Sequence, residues 1–208
     1  MNEDFDTLNT ILAELRSEYA EQCPFDVEDP EAPITERDIV AEIRDRLKLF
    51  CHSRRYQVHC EIKPVFDDNA TPEYMKSLPR IDVVVLSDKN DTTWLGAAKM
   101  LQDKYNKGSI EARFSSVPVG FFHTAIEAKI QSNVANAKED IDALKMIVDH
   151  NPLCNCFFVL LNARGQPQDH HHIQTYAREK GISIIEYASK KDGHNNRLHR
   201  IADKSGSR

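Results

Sequence analysis

Apolar residues recur at helical spacing in several stretches of the chain. In one stretch Thr35 stands three residues before Asp38, as in a helix-capping signal, and the apolar stripe that follows predicts a helix over residues 35–52. A later stripe predicts a helix that covers a sheet, and its members are Val134, Ala137, Ile141, Leu144 and Val148. Two further helices are predicted over residues 93–105 and 169–180.

Short runs of β-branched and aromatic residues lie between these helices. They predict strands over residues 56–62, 81–86, 123–131, 156–161 and 182–185. The first run alternates with polar residues and is expected to end at Pro64, whereas the second is apolar on both faces except for Asp82. The order is helix, three strands, helix, strand, helix, strand. This order indicates an α/β domain whose mixed central sheet is flanked by helices.

Length and proline content divide the chain into one domain with a segment on either side. Its 208 residues suit a single ordinary domain with tails. Residues 1–34 are predicted to form an acidic helix, peripheral to the main fold, and a proline-containing linker. The domain is expected over residues 35–188, with a polar insertion at about 88–118. Residues 189–208 are expected to form a basic, flexible tail.

The net charge of −6 is unevenly distributed. Residues 1–31 carry ten acids against Arg16 alone, so they contribute −9 and the remainder of the chain totals +3. An acidic protein is therefore not excluded from binding nucleic acid. In the tail, the candidate contacts to phosphates are Lys190, Lys191, Arg197 and Arg200. The alternative is a solvated tail without that role, and a further hypothesis is that the acidic segment covers a basic face until it is displaced.

Cysteine usage and hydropathy favour a cytoplasmic protein with no membrane partner. The five cysteines are odd in number and lack the spacing of a disulfide framework, so free thiols in a reducing compartment are expected. No run approaches the roughly 18 consecutive apolar residues of a membrane helix, and the first residues lack the pattern of a secretory leader.

Charged side chains on two of the predicted strands carry the functional signal. Asp82 begins the central run, and Glu127 and Lys129 share one face of the next predicted strand. Two carboxylates and a lysine on neighbouring strands can hold a divalent metal beside a phosphodiester and direct water at phosphorus. The alternative is an ordinary buried ion pair, but two acids and one base leave a charge whose burial costs several kcal/mol unless another cation arrives. The pattern therefore predicts a metal-dependent nuclease.

The element order and these residues together resemble the PD-(D/E)XK nuclease superfamily, which has the restriction-endonuclease-like fold. The resemblance covers about residues 35–188 and matches the αβββαβ core of that fold. Two features depart from the usual pattern. In Pro79-Arg80-Ile81-Asp82 the proline stands three residues before the acid, and 44 residues separate Asp82 from Glu127, a distance for which the insertion accounts.

The resemblance implies a role for each matching residue. Asp82 corresponds to the first acid of the motif, and Glu127 and Lys129 correspond to its second acid and its lysine. The implied cofactor is Mg²⁺ or Mn²⁺, held by the two carboxylates and by the backbone carbonyl of Ala128. Many members add a glutamate from the first helix. For that role Glu36 is preferred over Glu42, because Glu36 better continues the stripe that faces the sheet.

The implied activity is hydrolysis of phosphodiester bonds, of DNA in preference to RNA, in a restriction, repair or defence role. Lys129 would orient the attacking water, assist its deprotonation or neutralise the phosphate, and these roles stay open. Gln131 continues the face of Glu127 and Lys129 and would contact the scissile strand. A non-catalytic nucleic-acid-binding or assembly module on the same fold is the alternative function. A homodimer is compatible with the resemblance, but no coiled-coil seam requires one.

Overall fold

Helices and strands alternate along the part of the chain that the computed structural model describes, which is residues 6–8, 10–11, 13–14, 36–51, 56–67, 71–89, 92–105, 116–129, 134–161 and 167–187. The helices are α1 Glu36–Cys51, α2 Pro72–Ser77, α3 Trp94–Tyr105, α4 Val134–His150 and α5 Pro167–Glu179. The strands are β1 Tyr56–Val65, β2 Ile81–Ser87, β3 Ser116–Pro118, β4 Phe122–Lys129, β5 Asn155–Leu161 and β6 Ser183–Tyr187. A short 3₁₀ turn, Val119–Phe121, leads directly into β4.

One mixed sheet runs through the domain in the strand order β3-β1-β2-β4-β5-β6. Strand β2 lies between β1 and β4 and is antiparallel to both, whereas β4, β5 and β6 run parallel to one another. Strand β2 lies in the middle of the sheet, where helices cover both faces. Its sequence is therefore apolar on both faces. The α/β class and the mixed central sheet flanked by helices, predicted from the sequence, are confirmed.

Helices cover both faces of the sheet. On one face the α1 stripe predicted from the sequence packs on strand residues that include Val58, Val83, Ile126 and Ala128. On the other face α3, α4 and α5 pack on strand residues that include Val84, Ala125 and Phe158. Because alternate residues of a strand point to opposite faces, β1, β2, β4, β5 and β6 each contribute to both clusters. The core therefore has two layers, separated by the sheet.

The helix over 35–52 and the helix that begins at Val134 agree with their predicted bounds to within a residue or two. Gly181 ends α5 as expected, at a φ of +70° that suits glycine because it has no Cβ. The prediction that Pro64 ends the first strand is wrong. Pro64 pairs with Val117 of β3, beyond the point where pairing with β2 stops, so β1 continues to Val65.

The N-terminal segment adds apolar side chains to the α1 layer. Its described residues are helical, and Leu8 and Ile11 are fully buried in the cluster that contains Ile39 and Ile43 of α1. The sequence predicted a helix peripheral to the main fold, whereas these two side chains belong to the core. The tail beyond residue 187 lies outside the described residues. Within the described residues, no helix combines the length and the hydropathy that crossing a membrane requires.

Candidate functional site

The first predicted acid lies where the backbone pairing of β2 with β4 stops. That pairing reaches Val83 and Ile126, and one residue further the side chain of Asp82 replaces the backbone as acceptor. Its Oδ2 accepts a hydrogen bond from the backbone N–H of Ala128 at 2.9 Å. This bond joins the start of β2 to the Glu-Ala-Lys segment of β4. The two parts of the predicted motif, far apart in sequence, are therefore in direct contact.

Glu127 is a buried carboxyl group next to Asp82. Only 3% of the residue is exposed. Burial raises the pKa of Glu127 well above its usual range, and the nearby charge of Asp82, a side-chain hydrogen bond with Asp82 and the charge of Asp140 raise it further. Lys129 acts in the opposite direction. The two predicted acids are thus close enough for the charge of Asp82 to act on Glu127.

Lys129 lies at the end of β4 and contacts a carboxylate that was not among the predicted site residues. Its Nζ lies 3.7 Å from Oδ2 of Asp140 on α4. Asp140 stands three residues after Ala137 and directly before Ile141, both buried against the sheet. Asp140 thus stands at the margin of the apolar stripe of α4, beside the face that covers β4. This position in the sequence could have identified Asp140 as a candidate.

The donor set suits a hard divalent cation. Asp82 and Glu127 offer convergent carboxylate oxygens, and repulsion between them is relieved when a cation binds both. Among the described residues, no group of three or more His, Cys, Asp or Glu side chains is arranged to hold a metal ion. The remaining ligands would therefore be the Ala128 carbonyl, water or substrate oxygens. Mg²⁺ is commonly bound in this way, through one or two carboxylates.

Two solved structures are similar to this architecture, and both are NucC in a cAAA-bound form. NucC from E. coli MS115-1 matches with a TM-score of 0.51 and 11% sequence identity, over 89% of this chain and 73% of that one. The chain has a restriction-endonuclease-like fold. NucC from P. aeruginosa ATCC27853 matches with a TM-score of 0.49 and 12% identity, over 86% of this chain and 76% of that one. No protein-family model and no curated protein sequence matches.

The likeness confirms the fold that the motif predicted, since NucC is a nuclease with the PD-(D/E)XK fold. At this level of identity the likeness is one of fold, and the assignment of individual site residues remains a prediction. Gln131 and the four basic tail residues lie outside the described residues.

The two candidate glutamates of the first helix both lie on α1. Glu36 is its first residue, and its side chain is outside the described part of the chain. Glu42 forms an ion pair with Arg46 at 3.6 Å. Helix α1 packs on Ile126 and Ala128, the face of β4 opposite to that of Glu127, which alternates with them. A contribution of Glu36 to the restriction-endonuclease-like site remains a prediction.

Strand β1 is distorted opposite Asp82. Glu61 has a φ of +59°, and it lies opposite Asp82, between the pairs Cys60–Val83 and Ile62–Ile81. A residue other than glycine in this region is uncommon, and such local distortions of a strand are frequent beside active sites because they redirect side chains. The exposed Arg80 pairs with Glu61 at 3.7 Å.

The same corner of the sheet carries two cations. Burial lowers the pKa of Lys63, and the charge of Arg80 lowers it further. Arg80 belongs to the segment immediately before Asp82, and Lys63 lies on the strand that pairs with it. These cations were not predicted as site residues. Arg80 stands two residues before Asp82 in the sequence, whereas Lys63 comes near Asp82 only through the pairing of β1 with β2.

Proposed function

We propose that this protein is a metal-dependent nuclease that hydrolyses phosphodiester bonds of DNA in a restriction, repair or defence role, with Asp82, Glu127 and Lys129 in its active site. The observation that carries the proposal is the convergence of Asp82 and the buried Glu127, with an ammonium group on the same strand as Glu127. A buried acid beside a second, partly buried acid is destabilising in itself, and a cation-binding role accounts for the pair.

In this mechanism the protein's own residues perform three tasks. Asp82 and Glu127 would hold the divalent ion, with the Ala128 carbonyl as a further ligand. The bound ion would supply Lewis-acid stabilisation of the charge that develops on the phosphate oxygens. Lys129 would orient the attacking water, assist its deprotonation or neutralise the phosphate.

Cations around the site support a polyanionic substrate. Lys63 and Arg80 lie beside the start of β2, where they would contact phosphates flanking the scissile bond. The tail residues Lys190, Lys191, Arg197 and Arg200 would add contacts further along the strand. Such contacts position a nucleic acid without reading its sequence, because they are made to the backbone.

The test is cleavage of plasmid DNA and of RNA by the purified full chain with Mg²⁺, Mn²⁺ or EDTA, each with and without cAAA. The nucleotide is included because both NucC structures are cAAA-bound forms. We expect metal-dependent DNA cleavage that Lys129→Ala abolishes. The matched control is Lys145→Ala, which removes a lysine that pairs with Asp149 along the surface of α4.

The outcomes separate the two functions considered. If parent and Lys129→Ala cleave equally, the activity comes from a contaminant or another site and the proposal fails. If the parent binds DNA under every condition but never cleaves it, the alternative of a non-catalytic binding or assembly module replaces the proposal. Folding of each variant is checked by its thermal unfolding.

A further inference from the structure

The geometry points to Asp140 as a positioning residue that holds the Lys129 ammonium in place for catalysis. This inference rests on the proposed function, because it assigns a task to a residue that neither touches the substrate nor matches the motif. Asp140 would act through Lys129, which it contacts from α4 across the layer between helix and sheet.

The position of Asp140 on α4 sets it apart from the other acids of that helix. Asp149 pairs with Lys145 one turn away on the same helix surface. Asp142 accepts hydrogen bonds from Tyr176 on α5 and pairs with Lys180, the residue directly after that helix. Asp140 instead contacts the strand that carries Glu127. Its carboxylate therefore links α4 to the candidate active site.

Both partners of this contact are largely shielded from water. The side chain of Lys129 is 20% exposed and that of Asp140 is 25% exposed, and Oδ2 of Asp140 has almost no contact with solvent. An ionised carboxylate in such a position lowers the stability of the fold unless a cation lies beside it. The 3.7 Å contact with Lys129 supplies that cation.

A lysine side chain has many rotamers, and fixing them matters for catalysis. Without the contact to Asp140, the Lys129 ammonium would be drawn toward the carboxylate of Glu127, which lies two residues earlier on the same face of β4. The contact with Asp140 holds the ammonium on the α4 side of the site instead. An orienting group that is misplaced by about 1 Å can lose on the order of 100-fold in rate.

The experiment compares Asp140→Asn, which keeps the shape of the side chain, with the matched control Asp149→Asn. At saturating Mn²⁺ we expect Asp140→Asn to lower kcat by about 10- to 100-fold, the range typical of residues that support an active-site group, with KM for DNA changed by less than about twofold. Asp149→Asn should leave both parameters unchanged. Calorimetry should show equal Mn²⁺ affinity for Asp140→Asn and the parent.

A second measurement does not need activity. In metal-free protein labelled with ¹³C at lysine Cε, the Lys129 signal is identified by its loss in Lys129→Met, and its NMR relaxation reports side-chain order. We expect Lys129 to be ordered in the parent and in Asp149→Asn, and mobile in Asp140→Asn.

Three results would overturn the inference. They are an unchanged kcat in Asp140→Asn, a Lys129 signal equally ordered in Asp140→Asn and the parent, or a loss of Mn²⁺ affinity that makes Asp140 a metal ligand. If the parent itself fails to cleave DNA, the proposed function falls, and the relaxation measurement alone decides whether Asp140 orders Lys129.

Discussion

Replacement of Glu127 by glutamine should stabilise the metal-free protein at neutral and alkaline pH. Glu127 is 3% exposed and lies beside Asp82, and both burial and that neighbour raise its pKa. A carboxyl group whose pKa is higher in the folded state than in the unfolded state stabilises the fold while it is protonated. That contribution is fully present below the pKa of the unfolded chain, and it is lost as pH rises through the folded-state pKa. Glutamine resembles the protonated form at every pH.

The size of the effect follows from the environment of the carboxylate. Burial of a polar group without full compensation costs about 1–3 kcal/mol in protein mutational data. Lys129 offsets part of this cost. We therefore expect Glu127→Gln to exceed the parent by about 1–3 kcal/mol in free energy of unfolding at pH 8, and to match it near pH 4. For a chain of this size, each kcal/mol corresponds to a Tm increase of about 2–4 °C.

The assay is urea denaturation in EDTA at a series of pH values, with Glu139→Gln as the control because Glu139 is exposed on α4. The reasoning is refuted if Glu127→Gln is less stable than the parent at pH 8, or if the difference between them does not change with pH. Addition of Mn²⁺ should raise the Tm of the parent and leave that of Glu127→Gln nearly unchanged, because the metal requires the ionised carboxylate.

Two further predictions concern the turn before β4 and the N-terminal segment. Asn151→Ala should lower the free energy of unfolding by about 2 kcal/mol. The buried side-chain amide of Asn151 donates hydrogen bonds to the carbonyls of Val119 and Phe122, at 3.1 and 2.8 Å, and both carbonyls would lose this donor. An unchanged midpoint in urea would contradict this prediction. A chain that begins at Pro33 should bind DNA more tightly at low salt, because it lacks the acidic segment. It should also have a lower Tm, because it lacks the buried side chains of Leu8 and Ile11. Unchanged DNA affinity would remove the idea that this segment covers a basic face.

Local patterns predicted the elements that bury a continuous apolar surface. The apolar run of β2 and the stripe of α4 are of this kind, since each packs against several neighbours and its periodicity records the faces that are covered. The Asp82 and Glu127 pairing was also accessible, because both acids lie on strands and interrupt apolar surroundings. The sequence thus predicted the fold and the proximity of these two acids.

Contacts that depend on the path of the chain between elements could not be predicted in the same way. Pro64 stays in a strand because β3 pairs with it, and β3 is only three residues long. The contact of Asp140 with Lys129 and the burial of Leu8 each need the packing of one element on another. Periodicity gives the face that a residue occupies, but not the partner it meets there.

The antiparallel pairing of β2 with β4 determines where the chain can vary in length. The connection between these strands begins after Ser87 and ends at Phe122. Phe122 pairs with Leu86, and this pair lies about 13–17 Å along the strands from Asp82 and Glu127. The register of this pairing therefore sets the spacing of Asp82 and Glu127, whatever the number of residues between α3 and β3. A change of length between α3 and β3, which retains the buried Trp94, Ala98 and Val117, is accordingly expected to leave the two carboxyl groups in place.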